Sequence, residues 1–316
     1  MAVSEERLEV VRACELQIQP PQERWLFEGL WGRTAIGLIG GPPKTCKSWL
    51  GLDMAVGVAS GTPALGHFPA ALQGPALVYL AEDALAEIRG RIEALCRHRH
   101  LAIDALELFV ITAPSLRIDR SVDQERLAAT LADLRPRLLL LDPLVRLHRL
   151  DENSAAEISG LLGYIRELQR RFDLAIVLVH HASKKQRSQP GQALRGSSDL
   201  HAIGDSNAYL AREDQHIVLT LEHRAAPAPQ PVRLELVTDQ GGEAAGLRVV
   251  PSHPPRSHLP DLEERVLDCL APSTQPLSRA ALRSALRVNN QRLGTALDRL
   301  EQTGQLARTP QGWVRG

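Results

Sequence analysis

Apolar strands alternating with amphipathic helices predict an α/β fold: a mainly parallel sheet flanked by helices, followed by a small helical C-terminal domain. Three observations carry the prediction. An apolar run, Ala35 to Ile39, feeds the loop Gly41-Pro42-Pro43-Lys44-Thr45-Cys46-Lys47-Ser48, after which a helical pattern begins. Further apolar runs recur at Ala76–Leu80, Leu108–Ile111, Leu138–Leu141 and Leu174–Val179, with helix-length segments between them. After residue 260 the pattern changes to short amphipathic helices.

In chain order, residues 1–24 form a lead-in, and Trp25, Phe27 and Trp31 read as packing residues where the first domain begins. That domain spans residues 25–240. Its helices are predicted at Lys47–Ala59, Leu85–Arg97, Asp123–Leu134 and Ser154–Phe172. The last is the clearest, because Ile158, Leu161, Leu162, Ile165, Leu168 and Phe172 recur at helical spacing. Ile217–Leu221 and Val232–Leu236 are expected to close the sheet as a hairpin. Gly, Pro, Ser and His crowd residues 241–260, which read as a linker. Residues 261–316 are expected to form helices at 261–270, 278–286 and 290–303, then a hairpin at 306–314. Ser278 and Asn289 suit the helix N-caps. This order is similar to a winged helix-turn-helix, whose third helix would bring Asn290 and Arg292 to bases or phosphates.

Composition narrows the function. Basic and acidic residues balance at 37 each, so no global field draws the chain to nucleic acid, and any DNA contact must be a local patch. The four cysteines are scattered, without zinc spacing. No apolar run approaches the ~20 residues of a membrane span. A soluble cytoplasmic protein without a membrane partner is expected. Only four lysines stand against 33 arginines, and two of the four, Lys44 and Lys47, lie in the loop, as a compact ammonium at a phosphate site requires.

The loop carries the strongest chemistry. Its Lys-Ser pair opens a helix, and the backbone N–H groups of Gly41 through Ser48 would cradle the phosphates of a nucleotide. Lys47 would reach the β- and γ-phosphates and Ser48 would hold Mg²⁺. Cys46 stands where the pattern expects its second glycine, and a thiol at a helix N-terminus is expected to have a lowered pKa. Leu138-Leu139-Leu140-Leu141-Asp142 ends a buried strand in a carboxylate placed to orient Mg²⁺. The strand at 76–80 runs into Glu82 and Asp83; Glu82 is the candidate for polarising the attacking water, with capping of the next helix as the structural alternative. His180 and His181 end a fifth strand, and alternation lets at most one face the nucleotide as a sensor. Lys184, Lys185 and Arg187 form a basic loop suited to tracking single-stranded nucleic acid. Arg195, in Arg-Gly-Ser-Ser, is placed to bind phosphate or to reach a neighbouring subunit.

Taken in order, the phosphate loop, Tyr-Leu-Ala-Glu-Asp, Leu-Leu-Asp-Pro-Leu, Asp151-Glu152-Asn153, Val-His-His-Ala-Ser-Lys and Arg-Gly-Ser-Ser resemble RecA-like P-loop ATPases of the RepA replicative-helicase type. The resemblance covers roughly residues 25–240. It implies a RecA-like core, hydrolysis of ATP with Mg²⁺ at the subunit interfaces of a hexameric ring, and single-stranded DNA in a central channel, with duplex DNA open to the winged helix. Two departures stand out. One is Cys46 in the loop. The other is Asp205, which occupies the place where that family carries an arginine about ten residues after Arg195, leaving Arg195, Arg212 or Arg224 to serve at an interface. An ATP-gated DNA-binding regulator or scaffold without unwinding is the alternative reading.

Overall fold

The buried strands assemble around Ile36–Gly41, the strand that enters the phosphate loop. The computed structural model describes residues 10–16, 20–152, 154–181, 198–213, 216–239, 241–250, 262–271, 276–286, 288 and 290–315. The basic loop 184–187 and Arg195 lie outside them. The chain divides into two compact units, Met1–Pro251 and Ser252–Gly316.

In the first unit a two-stranded ribbon, β1 (Trp25–Phe27) and β2 (Trp31–Gly32), precedes β3 (Ile36–Gly41) and α1 (Lys47–Ser60). There follow β4 (Ala76–Leu80), α2 (Leu85–His98), β5 (Leu108–Val110), α3 (Ser121–Leu134), β6 (Leu138–Asp142), α4 (Ala155–Phe172) and β7 (Ala175–His181). A short helix, α5 (Ser198–Ala202), leads into β8 (Ser206–Glu213), β9 (His216–His223), β10 (Val232–Thr238) and β11 (Ala244–Val249). Among the described residues the order in the large sheet is β11-β10-β9-β8-β3-β7-β6-β4-β5. Strands β8, β3, β7, β6, β4 and β5 run parallel, and β9 to β11 add an antiparallel meander. Trp31 and Phe27 are fully buried, and the Trp31 indole N–H donates to the Ala35 carbonyl, so the aromatics pack as expected.

The period-two pleat divides the core. Ile39, Leu138, Leu140, Val177 and Val179 pack with α1 and α2; Ile36, Leu38, Leu139, Leu141 and Leu178 pack with α3 and α4. Such leucines contribute roughly 1.5–3 kcal/mol each when fully buried. The junction of β3 with β8 is unusual. Its ladder register covers Ile39↔Ala208 and Gly40↔Tyr209; beyond it the Asp205 N–H donates to the Ile36 carbonyl oxygen at 2.7 Å, and side chains add further bonds. Ile36 N–H donates to Asp205 Oδ2 at 3.2 Å, Leu38 N–H to Asn207 Oδ1 at 3.0 Å and Gly32 N–H to Ser206 Oγ at 3.1 Å. A Cβ at Gly37 would stand 1.5 Å from the Ser206 carbonyl oxygen, so only glycine fits there.

The sheet is wider than the sequence predicts. The pair expected to close it, now β9 and β10, is flanked by β8 and β11. Strand β11 lies inside the stretch read as a linker, and the boundary drawn at 240 falls within a hairpin. The Gly241-Gly242 pair turns the chain between β10 and β11; Gly242 has φ +80° and its N–H donates to the Asp239 carbonyl.

The second unit contains α6 (Leu262–Leu270), α7 (Arg279–Leu286), α8 (Asn290–Gln302) and a hairpin of β12 (Leu306–Thr309) and β13 (Gly312–Arg315). Leu277 adds a bridge to Trp313, and Val266, Leu282, Leu293, Leu297 and Trp313 form the core. Ser278 caps α7 by accepting from the Ala281 N–H at 3.2 Å.

Candidate nucleotide-binding site

The cleft lies where the parallel strands end. Gly41 closes β3 against β8, and a Cβ there would come within 2.3 Å of the Leu210 carbonyl oxygen. Pro42 and Pro43 stiffen the chain. Lys44 and Cys46 both take left-handed backbone with φ 63°, an arrangement costing roughly 1–2 kcal/mol for each side-chain-bearing residue. Two donors stitch the loop to one acceptor: Thr45 Oγ1 at 2.8 Å and Lys47 Nζ at 2.7 Å from the Pro42 carbonyl oxygen. Cys46 is the N-cap of α1 yet supplies no side-chain cap, so the first N–H groups of α1 open to an anion.

Around this loop the fold forms a cleft of about 430 Å³. Glu82 and Asp83 enter from the end of β4, Asp142 from β6, His181 from β7, Arg212 from β8 and Leu236 from β10. Asp142 is buried, and its Oδ2 has no hydrogen-bond partner among the described residues. Burial pushes its carboxyl up to about 6; the Ser48 hydrogen bond and Lys47 oppose the rise, while Asp83 and Glu82 add to it. Burial lowers the Lys47 ammonium, with Asp142 pulling it back.

These groups fit a Mg²⁺-nucleotide. Ser48 and the unpartnered Asp142 oxygen supply the hard donors, and Lys47 with the uncapped helix supplies the anion contacts. Among the described residues no three His, Cys, Asp or Glu side chains gather into a metal cluster. This suits Mg²⁺, which takes one or two protein groups and completes its shell with phosphates and water.

Other predicted residues sort clearly. Glu82 reaches the cleft and pairs with Arg146 Nε at 2.7 Å. Asp83 does not cap α2; the Arg91 guanidinium grips it at 2.7 and 3.0 Å. His181 lines the cleft, whereas His180 follows Leu178 onto the α3/α4 face and is 3% exposed. At Cys46 burial pushes the thiol pKa up and outweighs Arg212 and Lys47, reversing the expected fall. Asn290 opens α8, with Arg292 in its first turn.

Asp205 proves to be structural. Its carboxylate accepts from the Ile36 N–H and pairs with Arg166 at 2.6 Å and Arg224 at 2.9 Å. Arg224 is thereby committed within its own domain, and Arg212 donates to the Lys44 carbonyl oxygen at 3.3 Å, on the rim of its own cleft. Sequence reasoning did not find Arg91 and Arg146 as partners of the two acids; neither lies in a motif, and no local spacing ties Arg146 to Glu82.

A strand–loop–helix phosphate cradle at the carboxyl ends of a parallel sheet, faced by a strand-end aspartate, defines a RecA-like P-loop nucleotide-binding protein. The crystal structure of the RadB recombinase is similar, with TM-score 0.51 and 15% identity over 69% of this chain and 91% of that one. A DnaB-like replicative helicase, solved for its interactions with primase, is similar with TM-score 0.51 and 15% identity, covering 66% of this chain and 56% of the helicase. The chain spans about half of that helicase. Residues 2–187 match the family described as an AAA domain, and the chain belongs to that family.

Proposed function

We propose that this protein is a Mg²⁺-dependent ATPase coupled to DNA, a replication-associated motor of the RepA helicase type. The observation that carries the reading is the convergence of Lys47, Ser48, Asp142 and Glu82 on one cleft at the strand ends. Lys47 and the loop N–H groups bind the phosphates, and Ser48 and Asp142 hold Mg²⁺, which when bound offsets charge on the β- and γ-phosphates. Glu82, oriented by Arg146, takes a proton from the attacking water, and His181 senses the terminal phosphate. His180 is too deeply buried for that contact.

Support for DNA is of two kinds. The RadB recombinase and the DnaB-like helicase share the fold, and in the second unit three helices precede a hairpin, the order expected of a winged helix, with Asn290 and Arg292 in the first turn of α8. Lys184, Lys185 and Arg187 are assigned to single-stranded DNA in the channel of a hexameric ring, and Arg195 to a neighbouring subunit's nucleotide. No described helix is long and apolar enough to cross a membrane; a cytoplasmic setting is part of the proposal.

The test is steady-state ATP hydrolysis by the full chain, with and without single-stranded DNA. Stimulation by DNA supports the motor. Slow hydrolysis indifferent to DNA supports the second reading, an ATP-gated regulator or scaffold, which the commitment of Asp205 to Arg166 and Arg224 favours.

Asp142 also carries a prediction. A carboxyl raised from 3.8 to about 6 binds a proton more tightly in the folded state, so its stabilisation is full below pH 3.8 and lost as pH rises through about 6. At neutral pH the buried charge costs on the order of 3 kcal/mol. Asp142→Asn is therefore expected to raise the melting temperature of the nucleotide-free protein at pH 7.5 by several degrees, roughly 2–4 °C per kcal/mol. The gain should vanish near pH 4, and Mg²⁺-dependent ATP binding should be lost. Calorimetry at both pH values checks it; an unchanged melting temperature at pH 7.5 refutes the buried charge.

A further inference from the structure

Arg212 lines the cleft, yet hydrolysis as described gives it no task. Its place follows from the pleat. On β8, Ala208 and Leu210 pack into the core that holds α1, and alternation puts Arg212 on that same side. Its partner across the ladder, Ile217 of β9, belongs to the same core. Two residues of strand carry Arg212 about 6.6 Å beyond Leu210. Strand β3 ends at Gly41, and a Cβ there would come within 2.3 Å of the Leu210 carbonyl oxygen. Arg212 therefore lies past the end of β3, where the phosphate loop begins. There its Nη2 donates to the Lys44 carbonyl oxygen at 3.3 Å, and its charge acts on the Cys46 thiol, opposing the effect of burial.

Other arginines of this region are spent on carboxylates. Arg91 grips both oxygens of Asp83, Arg146 pairs with Glu82, and Arg224 pairs with Asp205. The Lys44 carbonyl is neutral, so it leaves the Arg212 charge unanswered, and the guanidinium fork has donors besides the one on the loop. That charge is held at the loop whose uncapped helix N-terminus already opens to an anion.

We propose that Arg212 binds the phosphates of the nucleotide in its own chain's cleft, with one N–H anchored on the Lys44 carbonyl and the others of the fork meeting phosphate oxygens. The ligand chemistry is a polyphosphate, held by charge-assisted hydrogen bonds. Phosphate binding is then complete within one chain, whereas Arg195 is assigned to a neighbour's nucleotide. The assignment rests on the nucleotide reading of the cleft.

The probes are inorganic tripolyphosphate and ATP, each with Mg²⁺, titrated calorimetrically into the full chain. Arg212→Gln should weaken both by roughly 10- to 100-fold, the scale of hydrogen bonds to a charged group. It should also flatten the dependence of affinity on salt, which loss of the Lys44 contact alone would not do. Arg212→Lys should keep the salt dependence and lose part of the affinity, because an ammonium lacks the fork. Without nucleotide the melting temperature should barely move in either variant, since the anchoring bond is exposed. Equal co-expression of Arg212→Gln and Lys47→Ala chains then separates a residue serving its own cleft from one serving a neighbour. In the first case no site of the mixed assembly has natural affinity; in the second, half times half, about one quarter of the sites would. Sites of natural affinity near that fraction, or natural affinity in Arg212→Gln, overturn the proposal. A natural protein that binds neither probe overturns the nucleotide reading itself, and this assignment with it.

Discussion

Lys47→Ala is expected to abolish ATP hydrolysis, lowering turnover by about 10³-fold or more, while the protein stays folded. A fixed charge aimed at developing phosphate charge in a sheltered site contributes on this scale. Lys47 is 5% exposed and donates to the Pro42 carbonyl oxygen, to which Thr45 also donates. Losing one of two donors costs the fold on the order of 1 kcal/mol. The substitution also removes a positive charge that holds the Asp142 carboxyl down, so Asp142 would be protonated at still higher pH. Residual Mg²⁺-nucleotide affinity should therefore recover toward alkaline pH in the variant. Turnover and melting temperature measured together check the expectation; natural turnover in Lys47→Ala sinks the phosphate-loop assignment.

Glu82→Gln should leave ATP affinity within a few-fold and slow turnover by roughly 10²–10⁴-fold, the usual contribution of a general base. Glu82 sits at the cleft rim with its carboxylate held by Arg146, so the amide keeps the shape and loses the proton acceptor. Asp83 is the competing acid, but Arg91 grips both of its oxygens. Single-turnover hydrolysis beside equilibrium nucleotide binding separates chemistry from affinity. Turnover that barely changes in Glu82→Gln would pass the role to Asp83.

The parallel core was legible because its strands are buried on both faces and so read as unbroken apolar runs, and α4 because its apolar stripe keeps helical spacing. Strand β8 was not legible. Its leading residues Ser206 and Asn207, with Asp205, spend their side chains on the backbone of β2 and β3, and such polar residues look like a turn. Strand β11 was hidden by glycines that shape a hairpin. At the cleft, local motifs announced the loop, Asp142 and Glu82, and alternation said that at most one histidine faces in. Choosing His181 required knowing which face of β7 meets α1. The pairing of Glu82 with Arg146 and the burial that reverses the Cys46 thiol shift are tertiary facts, set by segments distant in the chain.

The position of β3 in the sheet sets the order in which a growing chain can fold. Ile36 aligns with Ile176 on one side and Ile39 with Ala208 on the other, so both neighbours of the strand that bears the phosphate loop are synthesised long after it. Helices α1 to α4 can form locally as they emerge, but β3 has two unsatisfied edges until β7 emerges and one until β8 has left the ribosome. At the 5–20 residues per second typical of translation, that interval is on the order of 10 s. An apolar strand with an open edge for that long is a template for pairing with other chains. The candidate nucleotide site is thus among the last parts of the domain to take shape, and a chain released before β8 would retain the whole phosphate-loop sequence without the sheet that shapes it.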